Sequence, residues 1–391
     1  MAGILYGIKL MDFGRAAVGP LSTTYLGMMG ADVIKIEPPE GDMVRGGAPT
    51  MKGMGTTFLG NNVGKRGIML NLKNGEDREV AMQLIGVADV VMDNFRSRDV
   101  MVQLGLGYDV ISKINPRIIY LQSGAYGNTG PYVGMTSAEW YAQAVSGYTS
   151  VNGTNGGKGE FVRGTANMDW NAAMVNTQAL LTALYVRERT GRGLCVETSQ
   201  FESSLAAGVT RIAEFIATGE SPRPMGSARP NIVPDQAFET AMGWINVSVL
   251  HDGFWPKLCD ALDRPDLVED EQFQTNDARV NHRETLIPIL AAEFQKRSAH
   301  DWLGRLRAHD VPCGQYYTEK PLSWELMDHP QVQANELMTT LDTQWGPLNS
   351  VQAHWKFSDY TCAIQRPPPA LNEHRAEILE DWLGDHVSAT A

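Results

Sequence analysis

Histidine and cysteine are scarce in this sequence, and their positions argue against several kinds of chemistry. All eight histidines lie at position 251 or later, so a reaction centre in the first 250 residues must use carboxylates, lysines, tyrosines or hydroxyl groups. The four cysteines, Cys195, Cys259, Cys313 and Cys362, are far apart and form no CxxC pair. This spacing is typical of a reducing compartment and argues against a zinc ribbon or a disulfide framework. We therefore predict no metal site.

Long apolar runs and an excess of basic charge are also missing. No apolar stretch approaches the roughly 20 residues that a membrane-spanning helix needs, and the segment MAGILYGIKLMDF has no basic region before an apolar core. We therefore expect no signal peptide, no membrane partner and a cytoplasmic location. The net charge of −12 argues against non-specific nucleic-acid binding. Residues 1–120 are nearly neutral, with 13 Lys+Arg against 12 Asp+Glu, so an anion site can lie there.

The first half of the chain alternates short apolar strands with helices. The pattern predicts strands at 7–13, 31–39, 67–73, 89–95 and 116–123, and helices at 21–30, 75–88, about 99–115, 137–147 and 170–193. Such alternation is typical of a parallel sheet with helical crossovers, which is an α/β fold. A strand followed by a helix is predicted at 194–219.

A change of composition at 221–236 divides the chain. This segment holds four prolines and no apolar periodicity, so we interpret it as a linker after a large α/β domain at 1–220. Beyond it, a hairpin around Gly243 and several amphipathic helices predict a smaller α+β domain that begins at 237.

Three loops follow predicted strands at the edge where ligands collect in parallel sheets. They are FGRAAVGP (13–20), DNFRSRD (93–99) and SGAYGNTGPY (123–132). Small residues in the first and third loops allow backbone N–H groups to approach an anionic group closely. Taken alone, each loop is more often an ordinary tight turn.

Ten sequence motifs carry a resemblance that covers essentially the whole chain. They are DFGRAAVGP, GADVIKIEPPEGDMVR, NVGKRGIMLNLK, ADVVMDNFR, LGLGYDVISKINPRIIY, GAYGNTGPY, RERTGRG, NDARVNHR, VPCGQ and LNEHRAEILEDWLG. In this order they resemble the family III CoA-transferases, also called the CaiB/BaiF or formyl-CoA transferase-like family. The resemblance implies a large Rossmann-like parallel-sheet domain and a smaller α+β domain at 237–330. It also implies a segment at 331–391 that returns to the large domain, and an interlocked-ring dimer.

The stretch RGTANMDWNAA (163–173) contains the nucleophile that the resemblance implies. The family's catalytic aspartate stands just before a long helix that ends in the R-x-x-TGRG motif, which is Asp169 here. A carboxylate suits CoA transfer because it can itself be acylated, first as a mixed anhydride and then as an aspartyl-CoA thioester. Met168 and Trp170 are expected to limit the access of water, and N–H groups of the helix start to help stabilise an oxyanion. By position alone, Asp169 is equally a helix N-cap.

Glu139 matches an acidic position that lies near the nucleophile in the family, where it would position or tune the reacting carboxylate. An exposed helix acid is the alternative interpretation.

The resemblance also implies the CoA site, with coenzyme A bound as a substrate. The matching residues are Ala17, Val18, Leu70, Asn71, Leu72, Lys73, Asn94, Phe95, Arg96, Gly124, Ala125, Tyr126 and Gly127. Lys73 and Arg96 are the candidate phosphate partners. The family's NFRPG motif reads NFRSR here, and Gln103 and Pro38 occupy positions that are basic in relatives. Arg98 is expected to compensate.

Substrate choice follows from a few large and charged side chains. Trp140, Trp170 and Tyr126 favour an apolar or aromatic acyl group, and Arg15 and Arg163 are candidate clamps for a second carboxylate. The linker lacks the glycine run of formyl-CoA transferase, which argues against oxalate and formate. We therefore hypothesise a bulky or aryl-substituted dicarboxylate acceptor such as benzylsuccinate, with succinyl-CoA as the donor. The alternative is that these residues only pack.

Two other functions stay open. The related α-methylacyl-CoA racemases use a histidine with an aspartate, but the corresponding stretch TSAEWYAQA has no histidine. A non-catalytic, CoA-binding subunit of a heteromeric transferase is the other alternative, so the partner is a second copy or a homologous chain.

Overall fold

The chain forms two compact units. The computed structural model describes residues 3–316 and 327–384. Within these residues, the first unit comprises 3–148, 161–219 and 330–384, and the second comprises 149–160 and 220–329. The parts of the sequence-predicted domains at 1–2, 317–326 and 385–391 lie outside the described residues. None of the described helices combines the length and apolar composition that a membrane span requires.

The first unit alternates strands and helices as the sequence indicates. Its first part consists of β1 (Lys9–Asp12), α1 (Val18–Met28), β2 (Asp32–Glu37), β3 (Thr50–Met51), β4 (Met54–Gly55), α2 (Thr56–Asn61), β5 (Arg66–Met69), α3 (Gly75–Val87), β6 (Val90–Asp93), α4 (Asp99–Gln103), α5 (Tyr108–Ile114), β7 (Ile119–Gly124) and α6 (Glu139–Val145). The short helix α7 (Tyr148–Val151) follows, with its last three residues in the second unit. The first unit then continues with α8 (Asn167–Thr190), β8 (Cys195–Ser199), α9 (Gln200–Ala207) and α10 (Val209–Thr218).

Six of these strands form one parallel sheet in the order β5-β2-β1-β6-β7-β8, which confirms the predicted α/β architecture. The chain builds the sheet from β1 outward to β5, and then from β6 outward to β8. The strand order therefore reverses between β1 and β6, and a crevice at this point is where parallel sheets bind ligands. The loops that follow β1 and β6 lie at its carboxyl edge.

Both faces of the sheet are covered by apolar side chains. Strand β6 is fully buried from Val90 to Met92 because helices lie on both of its sides. One face packs on α3 and the other on α1 and α8.

The second unit contains β9 (Asp235–Glu239), β10 (Trp244–Ser248), α11 (Trp255–Ala261), α12 (Asp266–Glu269), α13 (Asn276–Asn281), α14 (Arg283–Phe294), α15 (Ala299–Ala308) and β11 (Cys313–Tyr316). Its strands are antiparallel in the order β11-β10-β9. The predicted hairpin around Gly243 is confirmed, since this residue turns the chain with a φ of +85°. Trp255, Phe294 and Trp302 fill the core of this unit.

The chain then returns to the first unit. Its last described elements are α16 (Pro330–Ala334), β12 (Met338–Thr343), β13 (Gly346–Val351) and α17 (Arg375–Leu383). Ile378, Trp382 and Leu383 of α17 are buried in the same apolar cluster as α3.

Two predicted helices are wrong in their extent. The expected helix at 99–115 is split into α4 and α5, because Gly105 takes a left-handed φ of +75° that ends α4. The helix expected within 194–219 is split at Gly208 into α9 and α10.

Two buried ion pairs lie under the loop that follows β1. Lys65 Nζ is 2.8 Å from Asp12 Oδ2, and both side chains are fully buried. Lys35 Nζ is 3.0 Å from Asp42 Oδ2 and also donates to the carbonyl oxygen of Gly14. Burial alone would raise the pKa of Asp12, but the charges of Lys65 and Lys35 hold that pKa below its usual value.

We expect Lys65→Met to lower the free energy of unfolding by about 3 kcal/mol or more, because it leaves the Asp12 carboxylate buried without its counter-charge. Urea unfolding followed by circular dichroism measures this change. Lys113→Met, at an exposed position of the same unit, is the control and should change stability by roughly 0.5 kcal/mol or less. Equal stability of the two variants would contradict the role of the pair.

Candidate active site

Asp169 lies in the first turn of α8, as its third residue. The residue at the N-cap position is Ala166, which provides no side-chain cap, so the alternative that Asp169 is the N-cap is wrong. Met168 is buried at 1% exposure, whereas Trp170 is 51% exposed in the single chain and lies beside the Tyr25 hydroxyl. The expected shielding of Asp169 by Met168 therefore stays a prediction, whereas the exposed Trp170 offers little shielding within this chain.

Glu139 holds the start of α8 from the neighbouring helix. It is the first residue of α6 and only 4% exposed, so the alternative of an exposed helix acid is wrong. Its Oε2 accepts a hydrogen bond of 2.7 Å from the backbone N–H of Asp169, and its Oε1 accepts one of 2.6 Å from Gln143 Nε2. The N–H of Asp169 is therefore engaged by Glu139 and is not free to stabilise an oxyanion.

Gln200 completes this carboxylate site, and sequence reasoning missed it. Its Nε2 donates to Asp169 Oδ1, and its Oε1 accepts a hydrogen bond of 2.9 Å from Ser137 Oγ. It stands directly after β8, where the Ser199 side chain caps α9. Its place directly after the carboxyl end of a predicted strand is the one sequence feature that could have drawn attention to it.

The surroundings of Asp169 raise the pKa of its carboxyl group. Burial and the nearby charge of Glu139 raise the pKa of Asp169 to about 7, against a smaller lowering by the Gln200 hydrogen bond. Among the described residues, Glu139 is the charged group that acts on this pKa. Asp169 is thus a desolvated carboxylate that is partly protonated near neutral pH.

Arg163 is held on an aromatic surface next to these carboxylates. Its guanidinium carbon is 4.2 Å from the ring centroid of Trp140 and 4.8 Å from that of Phe161. The Gln143 side chain binds both the N–H and the carbonyl of Val162, each at 3.0 Å, and so ties the Arg163 segment to Glu139. Within residues 3–316 and 327–384, no carboxylate forms an ion pair with this exposed guanidinium.

Two of the predicted CoA loops meet at the point where the strand order reverses. The Asn94 side chain accepts a hydrogen bond of 2.7 Å from the Arg15 N–H and donates one of 2.9 Å to the Arg15 carbonyl. The Arg15 guanidinium lies 5.4 Å from the Phe95 ring centroid. Ala17 and Val18 follow at the start of α1. The structure therefore brings Arg15 together with predicted CoA residues rather than with Asp169.

The remaining predicted CoA residues follow β5 and β7. Asn71 and Lys73 form a turn that leads into α3, in which Asn71 Oδ1 accepts from the Lys73 N–H at 3.2 Å. The side chains of Lys73 and Arg96 are exposed, as phosphate partners must be. Leu70 is 1% exposed and packs in the core, so its side chain is not accessible to a ligand. Leu72 is half-buried.

The loop Gly124–Gly127 connects the predicted CoA region to the carboxylate site. The carbonyl of Ala125 accepts a hydrogen bond of 3.0 Å from Phe201 N–H, next to Gln200. The Tyr126 ring centroid is 6.0 Å from that of Phe201. Gly127 turns the chain with a φ of +84°.

Arg98, the expected substitute phosphate partner, is directed towards the edge strand of the sheet. Its guanidinium lies 3.4 Å from Glu197 on β8. Both side chains line a cavity of about 600 Å³ together with Asp99, Tyr108, Tyr120 and Cys195. Because the cavity is lined by charges of both signs, it does not have the character of a phosphate site.

We expect Asp169→Asn to stabilise the fold at pH 8 by about 1–3 kcal/mol, because it removes a charge that burial disfavours. The folded-state pKa of about 7 lies above the unfolded value of 3.8. The free-energy cost of keeping Asp169 ionised in the folded protein is therefore absent below about pH 4, grows between pH 4 and 7, and is complete above that range. Urea unfolding at pH 4.5 and 8 measures the difference. The control is Asp109→Asn in the first turn of α5. A gain in the stability of Asp169→Asn that is the same at both pH values would contradict the raised pKa of Asp169.

Comparisons with known proteins identify the family of this chain. The profile of CoA-transferase family III matches residues 5–375. The succinate–glutarate CoA-transferase of Agrobacterium fabrum is 31% identical over 96% of this chain and 95% of its own. The acetyl-CoA:oxalate CoA-transferase of Acetobacter aceti is 32% identical over 96% and 95%. The crystal structure of a CAIB/BAIF family protein from Brucella suis superposes with a TM-score of 0.85 at 31% identity, over 97% of this chain and all of that one.

Three findings lead to one assignment. The sheet is parallel and Rossmann-like, the family profile matches nearly the whole sequence, and the relatives have named transferase activities. The chain belongs to CoA-transferase family III and is an enzyme that transfers CoA between an acyl-CoA and a carboxylic acid.

Proposed function

We propose that Asp169 is the nucleophile of this CoA-transferase. The observation that carries the proposal is a carboxylate desolvated at a helix start, fixed on one oxygen by Gln200 and bordered by the buried Glu139. Removal of hydration makes a carboxylate more reactive, and exclusion of water limits hydrolysis of an anhydride. The hydrogen-bond partners of Asp169 and Glu139 are the Gln200 amide, the Gln143 amide and the Asp169 N–H, none of which is a histidine, and this disfavours the racemase alternative.

The reaction proceeds through two covalent forms of Asp169. Its carboxylate attacks the donor thioester carbonyl, the C–S bond breaks, and a mixed anhydride and CoA thiolate form. The thiolate attacks the Asp169 carbonyl, which releases the donor acid and leaves aspartyl-CoA. The acceptor carboxylate then displaces the thiolate from Asp169, and the thiolate attacks the acyl carbon of the new anhydride. The acceptor leaves as its CoA thioester, and the Asp169 carboxylate is restored.

The CoA moiety is assigned to the crevice between β1 and β6. Ala17, Val18 and Asn94 border this crevice, and exposed Lys73 and Arg96 supply positive charge for the phosphates. The loop Gly124–Gly127 would carry the pantetheine arm towards Asp169, since Ala125 is bonded to the residue that follows Gln200.

The acceptor is assigned to the dicarboxylates, with Arg163 as the group that binds the second carboxylate. Cation–π contacts with Trp140 and Phe161 hold the guanidinium in place and leave its N–H donors free for a bidentate contact. Succinate, glutarate and oxalate in the names of the relatives are all dicarboxylates. An aryl-substituted succinate such as benzylsuccinate would place its ring against Trp140 and the exposed Trp170, with succinyl-CoA as the donor.

We also propose a dimer, either of two copies or of two homologous chains. Helix α10 has no buried residue and exposes the apolar side chains of Val209, Phe215 and Ile216. Such a face on a long-lived protein is normally covered. Equilibrium sedimentation that gives a monomer at micromolar concentration would contradict this state. A chain that binds CoA but forms no covalent adduct would instead be a non-catalytic subunit.

We expect Asp169→Ala and Asp169→Asn to reduce transfer at least about 1,000-fold, as removal of a covalent nucleophile does. Chromatography of the CoA esters measures the rate. Incubation with succinyl-CoA alone should add the mass of CoA minus water to the peptide that contains Asp169, and this adduct should be absent from both variants. Asp109→Asn is the control. Full activity of Asp169→Asn would end the proposal.

We expect Arg163→Gln to raise KM for dicarboxylate acceptors by roughly 10–100-fold, because a charge-assisted hydrogen bond pair is lost. KM for monocarboxylates of similar size, such as 3-phenylpropionate, should stay unchanged. Arg189→Gln is a matched control, since Arg189 also stacks on an exposed ring, that of Tyr185. An equal rise for both acid classes would contradict the clamp.

A donor and acceptor panel tests the substrates independently. Succinyl-CoA and acetyl-CoA are offered as donors to oxalate, formate, glutarate and benzylsuccinate. Transfer from succinyl-CoA to the larger dicarboxylates is the expected result, and failure of succinyl-CoA with every acceptor would contradict the proposed donor.

A further inference from the structure

The two carboxylate oxygens of Asp169 have different surroundings. Oδ1 accepts a hydrogen bond from Gln200 Nε2. Within residues 3–316 and 327–384, Oδ2 accepts none. The free oxygen is the one able to attack, because its lone pairs are not engaged. Oδ1 then remains as the carbonyl oxygen of Asp169 in both the anhydride and the thioester.

The Gln200 amide is held by hydrogen bonds at both ends. Ser137 Oγ donates to Gln200 Oε1 at 2.9 Å, and the side chain is only 6% exposed. A flipped amide would bring its oxygen against the carboxylate, which is repulsive. The amide N–H donor must therefore face Asp169.

From this arrangement we infer that Gln200 is a catalytic residue that stabilises the oxyanion formed on Asp169 itself. The inference rests on the proposed role of Asp169 as nucleophile. When CoA thiolate attacks the Asp169 carbonyl carbon, the C=O electron pair moves onto Oδ1, where the Gln200 N–H already lies. The Cγ–Oδ2 bond then breaks, the donor acid leaves with Oδ2, and the carbonyl re-forms. Attack by the acceptor carboxylate on aspartyl-CoA places charge on the same oxygen, and the C–S bond breaks.

The nearest backbone donor cannot take this role. The N–H of Asp169 is bound to Glu139 Oε2 at 2.7 Å. A side-chain amide is consequently the donor left to face Oδ1, and a preorganised donor of this kind typically contributes about 100–1,000-fold to kcat.

Two variants separate this role from simple support of the fold. Gln200→Met keeps the length of the side chain and removes the donor. Asn171→Leu is the matched control, because Asn171 Nδ2 also bridges α8 to α9, through the Ser203 carbonyl at 2.5 Å, without contacting Asp169. Ser137→Ala is the second test variant, which leaves Gln200 in place but releases the orientation of its amide.

We expect Gln200→Met to lower kcat about 100–1,000-fold with little change in the KM for the CoA ester. Ser137→Ala should lower kcat several-fold in the same direction. The acidic limb of the kcat/KM profile should move to higher pH in Gln200→Met, since its hydrogen bond to the charged form is lost. Asn171→Leu should leave kcat and the limb near their wild-type values.

The covalent adduct distinguishes the possible failures. Gln200→Met should form aspartyl-CoA from succinyl-CoA far more slowly than the wild-type protein, in rapid-quench mass spectrometry. Suppose that folded Gln200→Met keeps the wild-type kcat and the wild-type acidic limb of the kcat/KM profile, and still forms the adduct on Asp169. This result would overturn the role of Gln200 but not that of Asp169. Absence of any adduct in the wild-type protein would overturn the nucleophile itself.

Discussion

The hydrogen bond from the Asp169 N–H to the Glu139 carboxylate is the contact on which this site depends. It places two carboxyl groups in one largely buried space, which like charges tolerate only when one of them is well supplied with donors. Glu139 accepts hydrogen bonds from the Asp169 N–H and from the Gln143 amide. The first of these lies at the start of α8, where the helix dipole favours negative charge. Among the residues that the structure describes, Asp169 receives a side-chain donor from Gln200 alone. The repulsion therefore acts on the group that is proposed to react.

Helix α8 must be placed accurately for this contact to form, and a buried amide in its third turn fixes its position. Asn176 is fully buried and donates to Ser22 Oγ on α1 at 3.2 Å and to Ser123 Oγ on β7 at 3.0 Å, while its Oδ1 accepts from Thr198 Oγ1 on β8 at 2.6 Å. One side chain thus connects the helix with two strands near their carboxyl ends. Because every polar atom of the amide has a partner, a shift of α8 would leave several of them unsatisfied.

The sequence was sufficient for the sheet but not for the contacts around Asp169. Buried parallel strands are short apolar runs, so β1, β2, β6 and β7 could be located from their pattern. Asp169 was found through the motifs near it, whereas Gln200 was not, because an amide 31 positions away carries no periodicity that marks it. The exposure of Trp170 likewise depends on what packs around it. Gly105 shows the limit of helix periodicity, since one left-handed residue divides an otherwise continuous apolar pattern.

The buried ion pairs beneath the loop after β1 hold the backbone of that loop in place, as the Asn176 amide holds α8. Ala16 has a left-handed φ of +60°, a conformation that costs a non-glycine residue about 1–3 kcal/mol. Asp42 accepts the Ala16 N–H at 3.2 Å, and Lys35 binds both Asp42 and the Gly14 carbonyl. Charges buried in this way add little net stability, but they specify a single backbone path. That path turns the chain directly into α1 at the reversal of strand order. These contacts therefore hold the loop beside the crevice assigned to CoA in one backbone conformation.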